Sequence, residues 1–359
     1  MDTFQRLSAG LVNPHALTDL TLPNWDRLIR HARSTGLLPR LHALLSDSGS
    51  LDRLPDKVKN HLIGARAIAD HERRTLLWEV NRIGRALDRL DIPCILLKGA
   101  AYTVLALPFA KGRISTDVDI LVPKSEILAV EKSLLDHGWE HTKIDDYDQY
   151  FYRHWSHELP PLQHRERGTV VDVHHTILPP MGRLRPDPEK LIAASLPIVG
   201  TKFRVLAPVD MVLHSAAHGF QDGDLKRPLR DLVDIDGLLR HFGHSEKLWH
   251  DLAVRAEELD LTRPLFYALR YTERYLKAPI ATELVSQMVC WQPPWPALMV
   301  MDYVVDQVVT AGPWRHDIIL ELAQQSLYIR SHWLRMPPYL LVPHLLRKLL
   351  VKRKPADSN

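Results

Sequence analysis

The sequence predicts an α+β protein: a small mixed β-sheet core with helices, flanked on each side by a mainly α-helical region. Three observations carry that expectation. The first ninety residues show helical periodicity broken by prolines and no strand pattern; short apolar runs cluster between Ile92 and Leu178; helical periodicity returns after Pro208. These changes of texture divide the chain into an N-terminal helical region (1–90), a core (91–205), a C-terminal helical domain (206–350) and a flexible tail (351–359).

The helices of the first region are separated by Pro14, Pro23, Pro39 and Pro55, since proline suits helix starts and loops. The clearest runs from Lys57 to Leu90, where Leu76, Leu77, Val80, Ile83, Leu87 and Leu90 line one face. Glu72, Arg73, Glu79 and Arg82 are expected on the other. At Ile92 the run IPCILL reads as a buried strand ending at Lys98-Gly99. AAYTVLAL follows as a short helix, GRIST as a loop, DVDILV as a strand and Lys124 to His137 as an amphipathic helix. YDQYFYRHW and TVVDVHHTI are expected to be neighbouring antiparallel strands, with HRERG as the turn. The signal weakens from Pro186 to Arg204, then VDMVLHSAAHGF and PLRDLVDIDGLLRHF resume the helical pattern, and WQPPWP marks a corner between later helices.

The chain of 359 residues carries 46 Lys plus Arg against 43 Asp plus Glu, a formal charge of +3. Such a balance lacks the basic excess of a generic phosphate-backbone binder, so no broad nucleic-acid surface is expected and any polyanion must be met locally. Two distant cysteines, Cys94 and Cys290, suit a reducing compartment, and MDTFQRLSAGLVNPHAL lacks the pattern of a secretory signal; the expected location is cytoplasmic. No apolar run approaches the ~20 residues of a spanning helix.

The sharpest chemical signal is Gly112 to Val122, GRISTDVDILV. Alternate side chains of a strand share a face, so Asp117 and Asp119 project together while Val118 and Ile120 enter the opposite layer. Two carboxylates side by side repel unless a cation joins them, and Mg²⁺ takes oxygen ligands from carboxylates and substrate phosphates. In VVDVHHTI the same alternation turns Asp172 and His174 away from Val171 and Val173, supplying a third carboxylate. Upstream, Lys98-Gly99 follows a strand and opens a helix, an arrangement that receives phosphate oxygens. Together these features suit metal-assisted phosphoryl or nucleotidyl transfer. Arg113 and Lys98 are the candidate phosphate-binding cations.

The stretches LLKGAAYTVLAL, RISTDVDILV, VDVHH, LHSAAHG and DLVDIDGLL resemble the uncharacterised nucleotidyltransferase family of the polymerase-β-like superfamily, over Leu76 to Arg240. The resemblance implies that Asp117 and Asp119 hold two Mg²⁺ (or Mn²⁺) ions and that Asp172 holds one of them. It implies a nucleoside triphosphate as substrate and an acceptor that the sequence leaves unidentified: a small molecule, a sugar or a protein. One departure is visible. The superfamily's Gly-Ser or Gly-Gly turn is here Lys98-Gly99-Ala100, so Ser115 or Thr116 is the candidate for the missing hydroxyl contact.

Two rival readings use the same residues: a non-catalytic nucleotide-binding or interaction module on a transferase scaffold, and a D-x-D glycosyltransferase. The latter calls for a nucleotide-binding α/β region before Asp117, which the helical first ninety residues do not offer. His214 and His218 have a spacing that can bind zinc but also suits packing, and their neighbourhood shows no third ligand. Lys226, Arg227 and Arg230 precede Asp231 and Asp234 on an expected helix. From His332 to Lys354 aromatic, leucine and basic residues mix, a composition for covering the core or for peripheral contact with an anionic membrane.

Overall fold

The computed structural model of the chain describes residues 1–142, 146–222 and 227–341. Four helices come first: α1 (Thr3–Val12), α2 (Leu22–Ser34), α3 (Leu38–Asp47) and the long α4 (Asp56–Ala86). Prolines sit in the first turn of α2 and α3 and at the N-cap of α4, where the missing N–H costs nothing. The central segment holds β1 (Cys94–Leu96), α5 (Lys98–Val104), β2 (Asp117–Leu121), α6 (Ile127–Asp136), β3 (Trp139–His141), α7 (Asp146–Trp155), β4 (Leu162–His164), β5 (Val170–His174), α8 (Pro188–Ala194), β6 (Leu196–Pro197) and β7 (Phe203–Val205). Helices α9 (Pro208–Ala217), α10 (Pro228–Phe242), α11 (Glu246–Glu258), α12 (Thr262–Leu276), α13 (Thr282–Trp291), α14 (Trp295–Val309) and α15 (Ile318–Arg335) complete the described chain.

The seven strands form one mixed sheet in the order β3-β4-β5-β2-β1-β7-β6. Its centre is β2, antiparallel to β1 and parallel to β5, with Asp117 opposite Val170, Asp119 opposite Asp172 and Leu121 opposite His174. Val118, Ile120, Val171 and Val173 are all at most 1% exposed and anchor both strands in the apolar layer. That burial fixes which way the alternating acids turn, because a one-residue slip would drive them into the core.

Three expectations require correction. YDQYFYRHW is helix α7, not a strand: Phe151 and Trp155 recur at four-residue spacing, and the antiparallel partner of β5 is the short β4 beyond it. Glu79 is not on the solvent face of α4 but 1% exposed, in a two-pronged ion pair with Arg167 (2.8 and 2.9 Å) that ties the helix to the β4–β5 turn. The weakly patterned stretch from Pro186 to Arg204 contains β6 and most of β7, which extend the sheet beside β1.

The apolar core is continuous from Phe4 to Leu327. The helices before and after the sheet meet directly: Phe4 packs edge-on against Tyr275 at 5.6 Å, and the Ser8 hydroxyl donates to the Tyr275 carbonyl. Gly237 of α10 sits so close to Phe109 that a β-carbon there would overlap the ring, which brings α10 down onto the loop before β2. No helix among the described residues is long and apolar enough to cross a membrane. Lys226 and the basic residues from Arg347 onward lie outside the described residues.

Ile120 is fully buried on the central strand, facing away from Asp117 and Asp119. Ile120→Ala should cost about 2–5 kcal/mol in urea denaturation; a cost under 1 kcal/mol would mean that the layer behind the acids does not hold the strand.

Candidate active site

A cavity of about 370 Å³ opens on the face of β2 and β5 that carries the acids. Asp117, Asp119 and Asp172 line it together with Lys98, Gly99 and Arg113, so six of the seven residues singled out from the sequence share one wall system. Ser115 does not reach the cavity. It is 7% exposed and lies behind Arg113, whose guanidinium donates to its hydroxyl.

The three carboxylates differ in environment. Asp117 is exposed at the start of β2, whereas Asp119 and Asp172 are partly covered and directly opposed. Burial works against the charge of Asp119, but Lys98 and a 3.1 Å hydrogen bond donated by His174 Nε2 outweigh it and hold the carboxyl well below the usual range. Asp172 gets less help, from His174. Burial, followed by repulsion from Asp119 and Glu158, pushes it up to about 7. Its buried Oδ1 has no hydrogen-bond partner among the described residues, an expensive state for a carboxylate oxygen. An all-oxygen set containing one exposed acid and one buried, unsatisfied one suits a hard divalent cation such as Mg²⁺.

The basic residues have been redistributed by the fold. Arg113 gives its guanidinium to Asp234 of α10, through Nε bonds of 2.9 and 3.1 Å, both side chains being only 10% exposed. It also lies over the Tyr102 ring at 5.6 Å, and Tyr102 shares a 2.7 Å hydroxyl bond with Ser215 of α9. A β-carbon on Gly99 would strike the Arg113 guanidinium and the Ser115 hydroxyl, so this glycine makes room for that packing. Lys98 has a positive φ of 40° as it enters α5, a conformation that L-residues rarely hold. Its ammonium donates to His218 Nδ1 at 3.0 Å. Arg230 also lines the cavity, and its Nε has no hydrogen-bond partner among the described residues. Arg113 is committed to Asp234, and Arg230 and Arg335 are further guanidinium groups on the cavity wall.

The helical regions furnish the remaining walls. From α7 come Phe151, Tyr152 and Trp155, followed by His157 and Glu158; α9 and the π-turn after it (His218–Asp222) bring Ser215 and His218; the end of α15 and the residues beyond it bring Arg335, Met336 and Leu340. Of the histidine pair in α9 and its π-turn, only His218 faces the cavity. His214 is 3% exposed, and burial, reinforced by Lys98, keeps its ring neutral by lowering its pKa well below the ordinary value. Sequence reasoning missed the α7 wall because consecutive aromatics have high β-propensity, although Phe151 and Trp155 already stood at helical spacing.

The model of the family described as uncharacterised nucleotidyltransferase matches residues 21–277, and the chain belongs to that family. Among solved structures it is similar to the crystal structure of an antigenic nucleotidyltransferase-like protein from Paracoccidioides brasiliensis, at 19% identity and a TM-score of 0.30, covering 58% of this chain and 94% of that one. No curated protein matches it.

The opposed carboxylates make a pH-dependent prediction. Asp172 keeps its proton to about pH 7 in the folded chain against an ordinary value of 3.8. Between those values the folded state binds the extra proton, so this group's contribution to stability falls as pH rises and is level above the window. Asp172→Asn cannot ionise and should gain on the wild type progressively from about pH 4 to 7, reaching on the order of a few kcal/mol in denaturation curves recorded with chelator. A difference that is constant across that range would overturn the assignment.

Proposed function

We propose that this member of the uncharacterised nucleotidyltransferase family is a Mg²⁺-dependent enzyme that moves a nucleoside monophosphate from a nucleoside triphosphate to an acceptor hydroxyl, releasing pyrophosphate. One observation carries the reading: two parallel strands in register bring Asp117, Asp119 and Asp172 to one cavity wall, with a buried carboxylate oxygen of Asp172 left unsatisfied. Asp117 and Asp119 would hold the ions jointly and Asp172 would hold one of them. Bound there, Mg²⁺ would neutralise charge on the phosphate oxygens and ease loss of the acceptor's proton.

The protein's own groups divide the remaining work. Lys98 and Arg230 offer positive charge to the triphosphate from opposite elements, α5 and α10. Arg113 acts as a strut instead: paired with Asp234, it sets the loop before β2 against α10 and so fixes where Asp117 enters the cavity. Phe151, Tyr152 and Trp155 supply aromatic side chains for a base or the acceptor to pack against. A second reading, a non-catalytic nucleotide-binding module, draws support from the Lys98-Gly99-Ala100 turn and from the commitment of Arg113 to Asp234.

Purified protein, Mg²⁺, labelled nucleoside triphosphates and cell extract, followed by mass spectrometry of the labelled product, would test both readings and identify the acceptor. The Asp117→Asn, Asp119→Asn double variant should lose about 10²–10³-fold or more in turnover, as expected when charge stabilisation at the reacting phosphate is removed. Equal turnover in the two proteins would sink the enzyme reading. Tight triphosphate binding without any labelled product would favour the module.

A further inference from the structure

A second group of ligand-type side chains adjoins the aspartates. Glu158 and His174 oppose each other across an isolated antiparallel bridge, secured by Leu159 N–H donating to the Val173 carbonyl and His175 N–H donating to the His157 carbonyl, both at 2.9 Å. Directly opposed residues carry their side chains on the same face, so backbone pairing holds these two together. Glu158 Oε2 lies 3.4 Å from His174 Nδ1 and 4.0 Å from His157 Nε2. One ligand atom from each of the three residues falls within 4.8 Å of the others.

The tautomer of His174 sharpens the picture. Its Nε2–H donates to Asp119, which turns Nδ1 towards the Glu158 carboxylate. His174 is only 4% exposed, and its Nδ1 has no hydrogen-bond partner among the described residues. A cation seated among these side chains would use all three groups.

We propose that His157, Glu158 and His174 bind one divalent transition-metal ion of the Zn²⁺, Mn²⁺ or Co²⁺ type, at a site distinct in its donors from the aspartates. Imidazole nitrogens select such ions over Mg²⁺. The Asp119–His174 bond is the outer-sphere carboxylate–imidazole contact that orients a metal-binding histidine. All three ligands line the cavity, and three protein ligands leave a position open towards its contents, as in a catalytic rather than a closed structural site. The ion would therefore meet an oxygen of whatever occupies the cavity, from the side where α7 ends.

Chelator-stripped protein titrated with Co²⁺ should take up one tight equivalent and develop the visible absorption of a low-symmetry cobalt site, which Zn²⁺ abolishes. Glu158→Gln and His157→Ala should each weaken binding by about tenfold or more, with unchanged circular dichroism, and Asp117→Asn should leave it intact. Lack of a stoichiometric site in the wild type would overturn the proposal, and so would binding that survives Glu158→Gln but fails in Asp117→Asn. Absence of a stoichiometric site in the wild type overturns the proposal whether or not a variant folds. No nucleotide enters the assay, so its failure and that of nucleotidyl transfer are separable.

Discussion

The in-register parallel pairing of β2 with β5 is the constraint on which the rest of the structure depends. It seats Asp119 opposite Asp172 on one face and closes Val118, Ile120, Val171 and Val173 into the apolar layer on the other. The apolar layer pulls the strands into place, and its counterpart is a concentration of like charge at the cavity wall. Repulsion of this kind cannot relax by sliding, because any slip of one residue would exchange acids with valines. It is relieved locally instead: Lys98 and His174 serve Asp119, and Asp172 is left to hold its proton or find a cation.

Most of the counter-charges are themselves positioned by the helical regions, so the sheet does not make the site alone. Lys98 is met by His218 from the π-turn after α9 and Arg113 by Asp234 from α10, and α7 and the end of α15 add walls to the cavity. The π-turn is instructive here. The extra residue per turn that it accommodates occurs where His218 leaves the line of His214, one ring staying buried while the other reaches the cavity.

The acids were legible in the sequence because strand alternation is a two-residue rule: Asp119 and Asp172 each stand between apolar neighbours that must be buried, and Asp117 precedes Asp119 by one alternation. Helix periodicity likewise revealed α4 and the helices after Pro208. What stayed hidden depended on long-range partners. Nothing near Glu79 announces Arg167, so a buried carboxylate looked like a surface one, and nothing near Arg113 announces its ion pair with Asp234. The glycine at 99 was noticed for a reason that differs from its packing role, since the space it leaves is filled by Arg113 and Ser115. Glu158 carries no motif at all. It follows His157 in the chain and meets His174 through a bridge to β5 that local patterning does not encode.

The unbroken core from Phe4 to Leu327 bears on how such a scaffold changes over time. With no seam among the described residues along which one region could be exchanged for another, the cavity changes by replacement of side chains on its existing walls, at α7 and around Met336, rather than by swapping modules. Remote substitutions then reach the chemistry through the folding equilibrium: loosening Phe4 against Tyr275 thins the population of chains that possess a cavity, while leaving the shape of that cavity unaltered in those that do.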